Sequence, residues 1–590
     1  MEPSGDFREV FIELREKYEK ACLLIEEESK SDPENAPYRS KYAASKILTE
    51  MKSKLVNILD DINAENSDYV TVKAMLGIVW LLLGTVSLDT EELSTGEEQL
   101  MKCVECLSDD AVRPEYIISQ ITALNQLGLL WSQRDQPKKS QEFLEQAETL
   151  YKTYSKEINL PAIDAPSIFK ATVPETYSSG PGTSLEKTHT LTLYYLAQIY
   201  GALSDNRKSA IYCHTTLKRQ LETKDFDPID WALNAATLSQ YLMEKVGFKE
   251  ARHHLAAASF ILDQYEGEMG HMNCNEEELA ARGERLAHRR ADVTRCWAKY
   301  GLLLLSNSKE RLMEQGETTN QSEEVEQMNE NGDVLFAFSS LEVNSYEDQI
   351  TDKYILTFDD ARKVFLKTQE WLNEAKQYYT LDSHASDYVQ IVQDHSQLFS
   401  HLAFFEDDEE RQSRMHKRRV DLLESVLQQL NPQYYMLVCR QLWYELALTY
   451  SDILDIKLER LQASDSRPTP HALRKINHLA SSSIANFTHF LDSLKDPSTK
   501  EFPDTISEDL ERPALNAHCH IGRLYSKLVT PDKKVNRENI KKSIDAYQFI
   551  VDYCEKHESG RQKMSVELGV CQEMVQLLPL KLEKLTQDVK

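Results

Sequence analysis

The sequence predicts an all-α fold, a solenoid of degenerate tetratricopeptide-like helix pairs, on three observations. Apolar residues make up 41% and charged residues 28% of the 590, with only 18 Gly and 18 Pro, the profile of a helix-rich globular chain. A pattern of a large residue, then Leu followed by a small residue, then an aromatic recurs several times, while runs of strand periodicity are nearly absent. The chain is also longer than one hydrophobic core supports, a difficulty that a stacked array of repeats avoids.

The repeats follow in chain order. Leu76, Gly77 and Trp80 give the first first-helix match. The clearest repeat has Leu124, Leu127, Gly128 and Trp131 in one helix, with Leu144 and Ala147 at the matching places of the next. There a small residue lets two helices approach closely. Another unit reads Leu193, Leu196, Ala197 and Tyr200, then Ala210, Cys213 and Leu217. A third reads Ala235, Leu238, Ser239 and Leu242, then Ala251, Leu255 and Ala258. In the C-terminal half Trp443, Leu446, Ala447 and Tyr450 repeat the first-helix pattern, and Ile521, Gly522 and Tyr525 give a weaker copy.

Three stretches interrupt the helices. Residues 160–184 are rich in Pro and Gly and read as a long loop. Residues 306–351 are polar, acidic and short of apolar anchors, which marks a flexible linker. Residues 463–470 read as a surface loop. The expected organisation is therefore an N-terminal solenoid half over 1–305, a linker over 306–351 and a C-terminal half over 352–590.

Charge narrows the partners. With 68 Lys and Arg against 96 Asp and Glu, the net charge is -28, a field that repels nucleic acid and anionic lipid and attracts basic protein surfaces. The N-terminal stretch is charged from Asp6 onward, and the longest apolar run, Met75 to Leu83, is shorter than a bilayer. A cytoplasmic location without membrane insertion is expected. Ten scattered cysteines lack a framework spacing, so no disulfides are expected.

No phosphate-binding loop, zinc-protease helix, nucleophile elbow or dinucleotide fingerprint is legible. Cys103 and Cys106 form a lone C-x-x-C, and His518, Cys519 and His520 sit together, but neither cluster has a second ligand pair at zinc-site spacing. Both read as helix-face packing residues, and no metal, cofactor, small-molecule substrate or enzymatic activity is expected. The basic run Met415 to Val420 follows an acidic stretch, so its charges are expected to meet acidic partners on the same helix or in adjacent repeats.

Particular words of the sequence carry more than periodicity. LDTEELSTGEEQLMKC (88–103), LYYLAQIY (193–200), YCHTTLKRQLE (212–222), WALNAATLSQ (231–240), NPQYY (431–435) and FIVDYCEKH (549–557) resemble the KIF-binding protein family, also called kinesin-binding protein, over nearly the whole chain. An acidic Gly/Pro-rich insertion of the vertebrate members is missing near the N-terminus. The resemblance implies a right-handed α-solenoid in two halves that binds a subset of kinesin motor domains. It further implies that the protein covers their microtubule-facing surface and regulates microtubule-based transport without catalysis. A cytoskeleton-associated location follows.

The same resemblance carries partner-binding residues onto Tyr195, Gln198, Gln220, Thr237 and Gln240. Their positions are consistent with one another, because Tyr195 and Gln198 flank Leu196 at the offsets at which Thr237 and Gln240 flank Leu238. Two first helices thereby project a polar pair from equivalent faces. The alternative is a tetratricopeptide adaptor for another basic protein. A co-chaperone that grips an acidic tail needs a cationic clamp, and Tyr194, Gln198, Ala236 and Gln240 occupy those positions instead.

Overall fold

A computed structural model describes residues 8–62, 66, 68–158, 160–170, 184–245, 247–271, 275–317, 336–463, 468–496, 498–499 and 501–587. Among them the fold is all-α, with no strand. The chain divides into two compact units. The first comprises Met1–Lys245, Phe260–Tyr265 and Met328–Glu342; the second comprises Val246–Ser259, Glu266–Gln327 and Val343–Lys590.

The helices of the N-terminal region are α1 (Arg8–Glu26), α2 (Arg39–Asp61), α3 (Tyr69–Asp89), α4 (Leu93–Cys106), α5 (Ile117–Gln133), α6 (Pro137–Glu157), α7 (Ala165–Lys170), α8 (Ser184–Ala202), α9 (Asn206–Thr223) and α10 (Pro228–Lys245). Next come α11 (Phe248–Met269), α12 (Glu276–Glu317) and α13 (Asn344–Glu347). The remainder are α14 (Phe358–Tyr378), α15 (Ala385–Phe404), α16 (Glu409–Leu427), α17 (Pro432–Ala463), α18 (Pro470–Asp492), α19 (Glu508–Lys527), α20 (Lys533–Lys556), α21 (Glu558–Lys563) and α22 (Glu567–Gln587).

Helix starts follow local chemistry. Asp205, Thr357, Asp408, Thr469 and Asp532 cap α9, α14, α16, α18 and α20 by accepting from backbone N–H groups of the first turn. Pro137 and Pro470 occupy first-turn positions where no N–H partner is needed. α3 is the exception to amphipathicity, apolar nearly all round, and it is the helix long and apolar enough to cross a membrane. Its residues Val72, Met75, Ile78, Val79 and Leu83 are buried in the first unit, where α2, α4 and α5 pack on it. The apolar run seen in the sequence is thus part of a longer core helix.

The predicted repeat positions form the contacts between paired helices. α5 packs on α6, α8 on α9, and α19 on α20. At each crossing a small residue of the first helix offers its carbonyl to a buried or half-buried serine of the second. Ser140 Oγ donates to Gly128 O at 2.6 Å, Ser209 Oγ to Ala197 O at 2.8 Å and Ser543 Oγ to Gly522 O at 2.7 Å. Across α17 and α18, Ser483 Oγ donates to Ala447 O at 2.7 Å. A methyl on Gly128 would come within 2.7 Å of Leu144, and one on Gly522 within 2.8 Å of the Tyr547 ring.

Residues 306–351 depart from a flexible linker over their described parts. α12 runs on to Glu317, with Ser308 buried, and Phe338, Val343 and Ile350 are buried as well. In the first unit Phe338 sits against His214 and Trp231, with ring centroids 4.9 Å and 5.2 Å away. In the second unit His253 meets Glu347 at 2.7 Å, and Tyr300 donates to Thr351 O at 3.0 Å. The few apolar anchors in this polar stretch are enough to pin it, and residues from 246 onward enter the second unit, so the division does not fall at 305. The centre of the acidic stretch, 318–335, lies outside the described residues, as do 171–183 of the first predicted loop, which also contains α7, and 464–467 of the last.

In the second unit the basic run of α16 meets acidic partners. Arg414 faces Glu410 at 3.8 Å and Lys417 faces Asp421 at 2.9 Å on the same helix. Buried Arg419 reaches α15 and α17, donating to Ser396 Oγ at 3.1 Å and to Asp452 Oδ2 at 3.2 Å, with Glu445 3.8 Å away. The rings of the His518–His520 cluster are packing groups. His518 stacks on Phe549 at 4.1 Å and His520 on Phe487 at 5.2 Å.

Two predictions follow from this packing. Gly128→Ala is expected to destabilise the protein by about 1–2 kcal/mol, the overpacking cost less the helix preference of Ala. Gly201→Ala, whose methyl meets only Ser209 Oγ at 3.5 Å, is expected to be neutral or stabilising; urea midpoints of the two variants test the contrast.

The second concerns pH. Burial holds His518 down to about 3 and His520 down to about 4, so both are neutral when folded, whereas the unfolded chain binds protons below 6.5. Stability therefore falls as pH drops below 6.5, at up to roughly 1.4 kcal/mol per pH unit for each such histidine. Buried Asp394 and Glu445, whose carboxyls burial pushes up, act in the opposite sense. His518→Phe keeps the ring stack and is expected to show a shallower loss of melting temperature between pH 7 and pH 5 than the parent protein.

Candidate partner-binding face

The five sequence-predicted residues fall on three consecutive helices of the first unit, Tyr195 and Gln198 on α8, Gln220 on α9, and Thr237 and Gln240 on α10. α9 packs against both α8 and α10. Polar side chains fix these helices. Arg219 of α9 pairs with Glu186 of α8, and the same carboxylate accepts from Tyr151 of α6 at 2.9 Å. Tyr200 and Tyr212 stack with centroids 5.4 Å apart, and Tyr212 donates to Glu148 at 2.9 Å. Buried Trp231 ties α10 to α9 by donating from Nε1 to Leu217 O at 3.0 Å.

On α8 the spacing 191, 194, 195 and 198 follows one helix face. Leu191 is 50% and Tyr194 41% exposed, Gln198 is exposed and Tyr195 is half-buried. The Tyr195 ring packs against the cluster of Leu144, Leu196, Ile199 and Tyr200, with the Tyr194 ring 5.7 Å away. Burial raises the Tyr195 phenol, with Tyr194 adding to the effect, so it stays a hydrogen-bond donor at neutral pH. On α10 Asp230, Asn234, Thr237 and Glu244 are exposed along a second stripe. Thr237 Oγ1 donates to Leu233 O at 2.8 Å, leaving its oxygen to accept from outside.

The two pairs that match in sequence offset differ in exposure. Gln240 is half-buried where Gln198 is exposed, and Gln220 is half-buried in the last turn of α9, its Oε1 buried without a partner among the described residues. The sequence reading passed over Leu191 and used Tyr194 only in setting aside a cationic clamp. The signal for both was an apolar or aromatic residue three and four positions before an exposed polar one on a helix whose opposite face was already filled. His189, buried on the same helix and stacked on Tyr151 at 3.5 Å, is held down to about 3 and carries no charge at neutral pH.

This is a face of neutral donors, acceptors and aromatic surface on stacked helix pairs, and it defines a helical-repeat protein of the kind that recognises other macromolecules by shape and hydrogen bonding. A family profile described as KIF-1 binding protein C terminal matches residues 229–585. KIF-binding protein of Gallus gallus is 43% identical over 588 residues, covering 97% of both chains. That of Homo sapiens is 39% identical over 97% of this chain and 98% of its own, and that of Drosophila melanogaster 37% identical over 98% and 97%. The cryo-EM structure of KIFBP matches 98% of this chain and 99% of its own, with a TM-score of 0.62 at 33% identity. The chain belongs to the KIF-binding protein family.

Burial separates two of the site residues in what their removal costs. Tyr195→Ala is expected to destabilise the protein by about 1–2 kcal/mol through lost ring packing. Gln198→Ala, an exposed change, is expected to stay within about 0.5 kcal/mol of the parent protein in urea unfolding.

Proposed function

We propose that the protein binds the motor domains of a subset of kinesins over their microtubule-facing surface and thereby keeps them off the track, acting without catalysis. Its role is then to regulate microtubule-based transport from a cytoplasmic, cytoskeleton-associated location. The observation that carries this reading is the exposed stripe Leu191, Tyr194, Tyr195 and Gln198 on α8 of a chain with net charge -28, in a family named for binding KIF proteins.

Physical chemistry supports the reading. Microtubules are acidic, so a motor's track-binding surface is basic, and a strongly acidic protein competes for it by presenting a similar potential. In arrays of stacked helix pairs the successive first helices line an extended inner surface suited to a helix-sized target. Aromatic side chains such as Tyr194 and Tyr195 supply contact area at low entropic cost, while Gln198, Gln220, Thr237 and Gln240 supply hydrogen bonds that discriminate among motors.

Co-sedimentation of purified kinesin motor domains with microtubules tests the proposal. With the protein added, some motors are expected to leave the pellet, and Tyr195→Ala combined with Gln198→Ala is expected to restore them, weakening binding by about 10-fold or more. Raising the salt concentration is expected to slow association more than it speeds dissociation. If every motor pellets normally in the presence of the protein, the proposal fails.

A further inference from the structure

A second feature of the first unit points to a ligand and uses none of the residues above. Between α4 and α6, the second helices of two successive pairs, lies an open cleft of about 570 Å³. Val104, Leu124 and Leu150 give it apolar walls, Glu142 and Glu145 its carboxylates, and Gln120 of α5 its floor.

Gln120 is 1% exposed, and its amide orientation is fixed because Nε2 donates to Val104 O at 3.0 Å. The oxygen is thereby turned away from the backbone, and Oε1 is buried with no hydrogen-bond partner among the described residues. An amide oxygen left so at the floor of a cleft is an acceptor that lacks a donor. The Glu145 carboxylate, which accepts from Tyr200 and Gln141, stays ionised, since those hydrogen bonds hold it below the usual carboxylate range. Exposed Glu142 makes no ion pair among the described residues.

These groups are all acceptors, and two are charged. Their complement is a ligand with an aliphatic stem to lie against Val104, Leu124 and Leu150 and a cationic head rich in N–H donors. We propose that this cleft receives a lysine or arginine side chain presented by a basic polypeptide partner, at a docking point separate from the α8–α10 face. The long methylene chain, the positive head and the chain's overall field each favour such a side chain over a neutral one.

Saturation-transfer NMR on the full chain tests this, with Nα-acetyl-arginine amide, Nα-acetyl-lysine amide and the neutral isostere Nα-acetyl-citrulline amide as probes. The cationic probes are expected to receive saturation along their methylenes and the citrulline probe none. Glu142→Gln, an exposed change that leaves the core intact, and Gln120→Met, which removes the unpaired oxygen at similar volume, are each expected to weaken the cationic probes by about tenfold. Equal transfer to citrulline, or full binding of the cationic probes by Glu142→Gln, would overturn the proposal. So would displacement of glycyl-arginyl-glycine by a lower concentration of spermidine, which would assign the cleft to a free polyamine. No motor protein takes part, so the outcome is independent of the kinesin reading.

Discussion

The hydrogen bond from a serine hydroxyl to the carbonyl of a small residue on the preceding helix is the contact on which the helix pairing depends. It forms only where the two backbones come close, so it requires Gly or Ala on one helix and Ser on the other. Close approach, in turn, places the flanking Leu and Tyr side chains in the grooves of the partner helix, where they are buried. A carbonyl already bonded within its own helix gains a second donor, and a buried hydroxyl is satisfied without another side chain. The same solution appears in both compact units.

This explains why the fold was legible in sequence while several boundaries were not. Gly128, Ala197, Ala447 and Gly522 stand two or more turns inside apolar helices, where a small residue marks a close crossing, and reading them as repeat positions identified the pairs. The serines were not recognised as their partners, because Ser on a helix is common and the spacing varies from 12 to 36 residues. The stretch 306–351 misled for the opposite reason. Its composition is that of a solvated segment, and a handful of residues, Phe338, Val343 and Ile350 among them, suffices to hold the described parts. Composition averages over a window, whereas burial is decided residue by residue.

The candidate site was only partly legible. Offsets from Leu196 and Leu238 identified equivalent helix faces, but the half-burial of Tyr195, Gln220 and Gln240 depends on neighbouring helices that periodicity does not specify. The exposed pair Leu191 and Tyr194 went unrecognised since an apolar residue on an amphipathic helix is ordinarily assigned to the core. The acidic surplus, by contrast, needs no structure to be read. It sets the sign of the long-range field, and the neutral side chains on α8 then supply short-range fit, so attraction and selectivity reside in different residues.

The position of Phe338 in the first unit also bears on biosynthesis. Most contacts of α1 to α10 join helices adjacent in sequence, which permits them to pack as they leave the ribosome. The ring that fills the space beside His214 and Trp231 belongs to a segment translated about a hundred residues later, a delay of roughly 5–20 s at ordinary elongation rates. During that interval Trp231 lacks one of its aromatic neighbours, leaving nascent chains a window in which chaperones have apolar surface to hold.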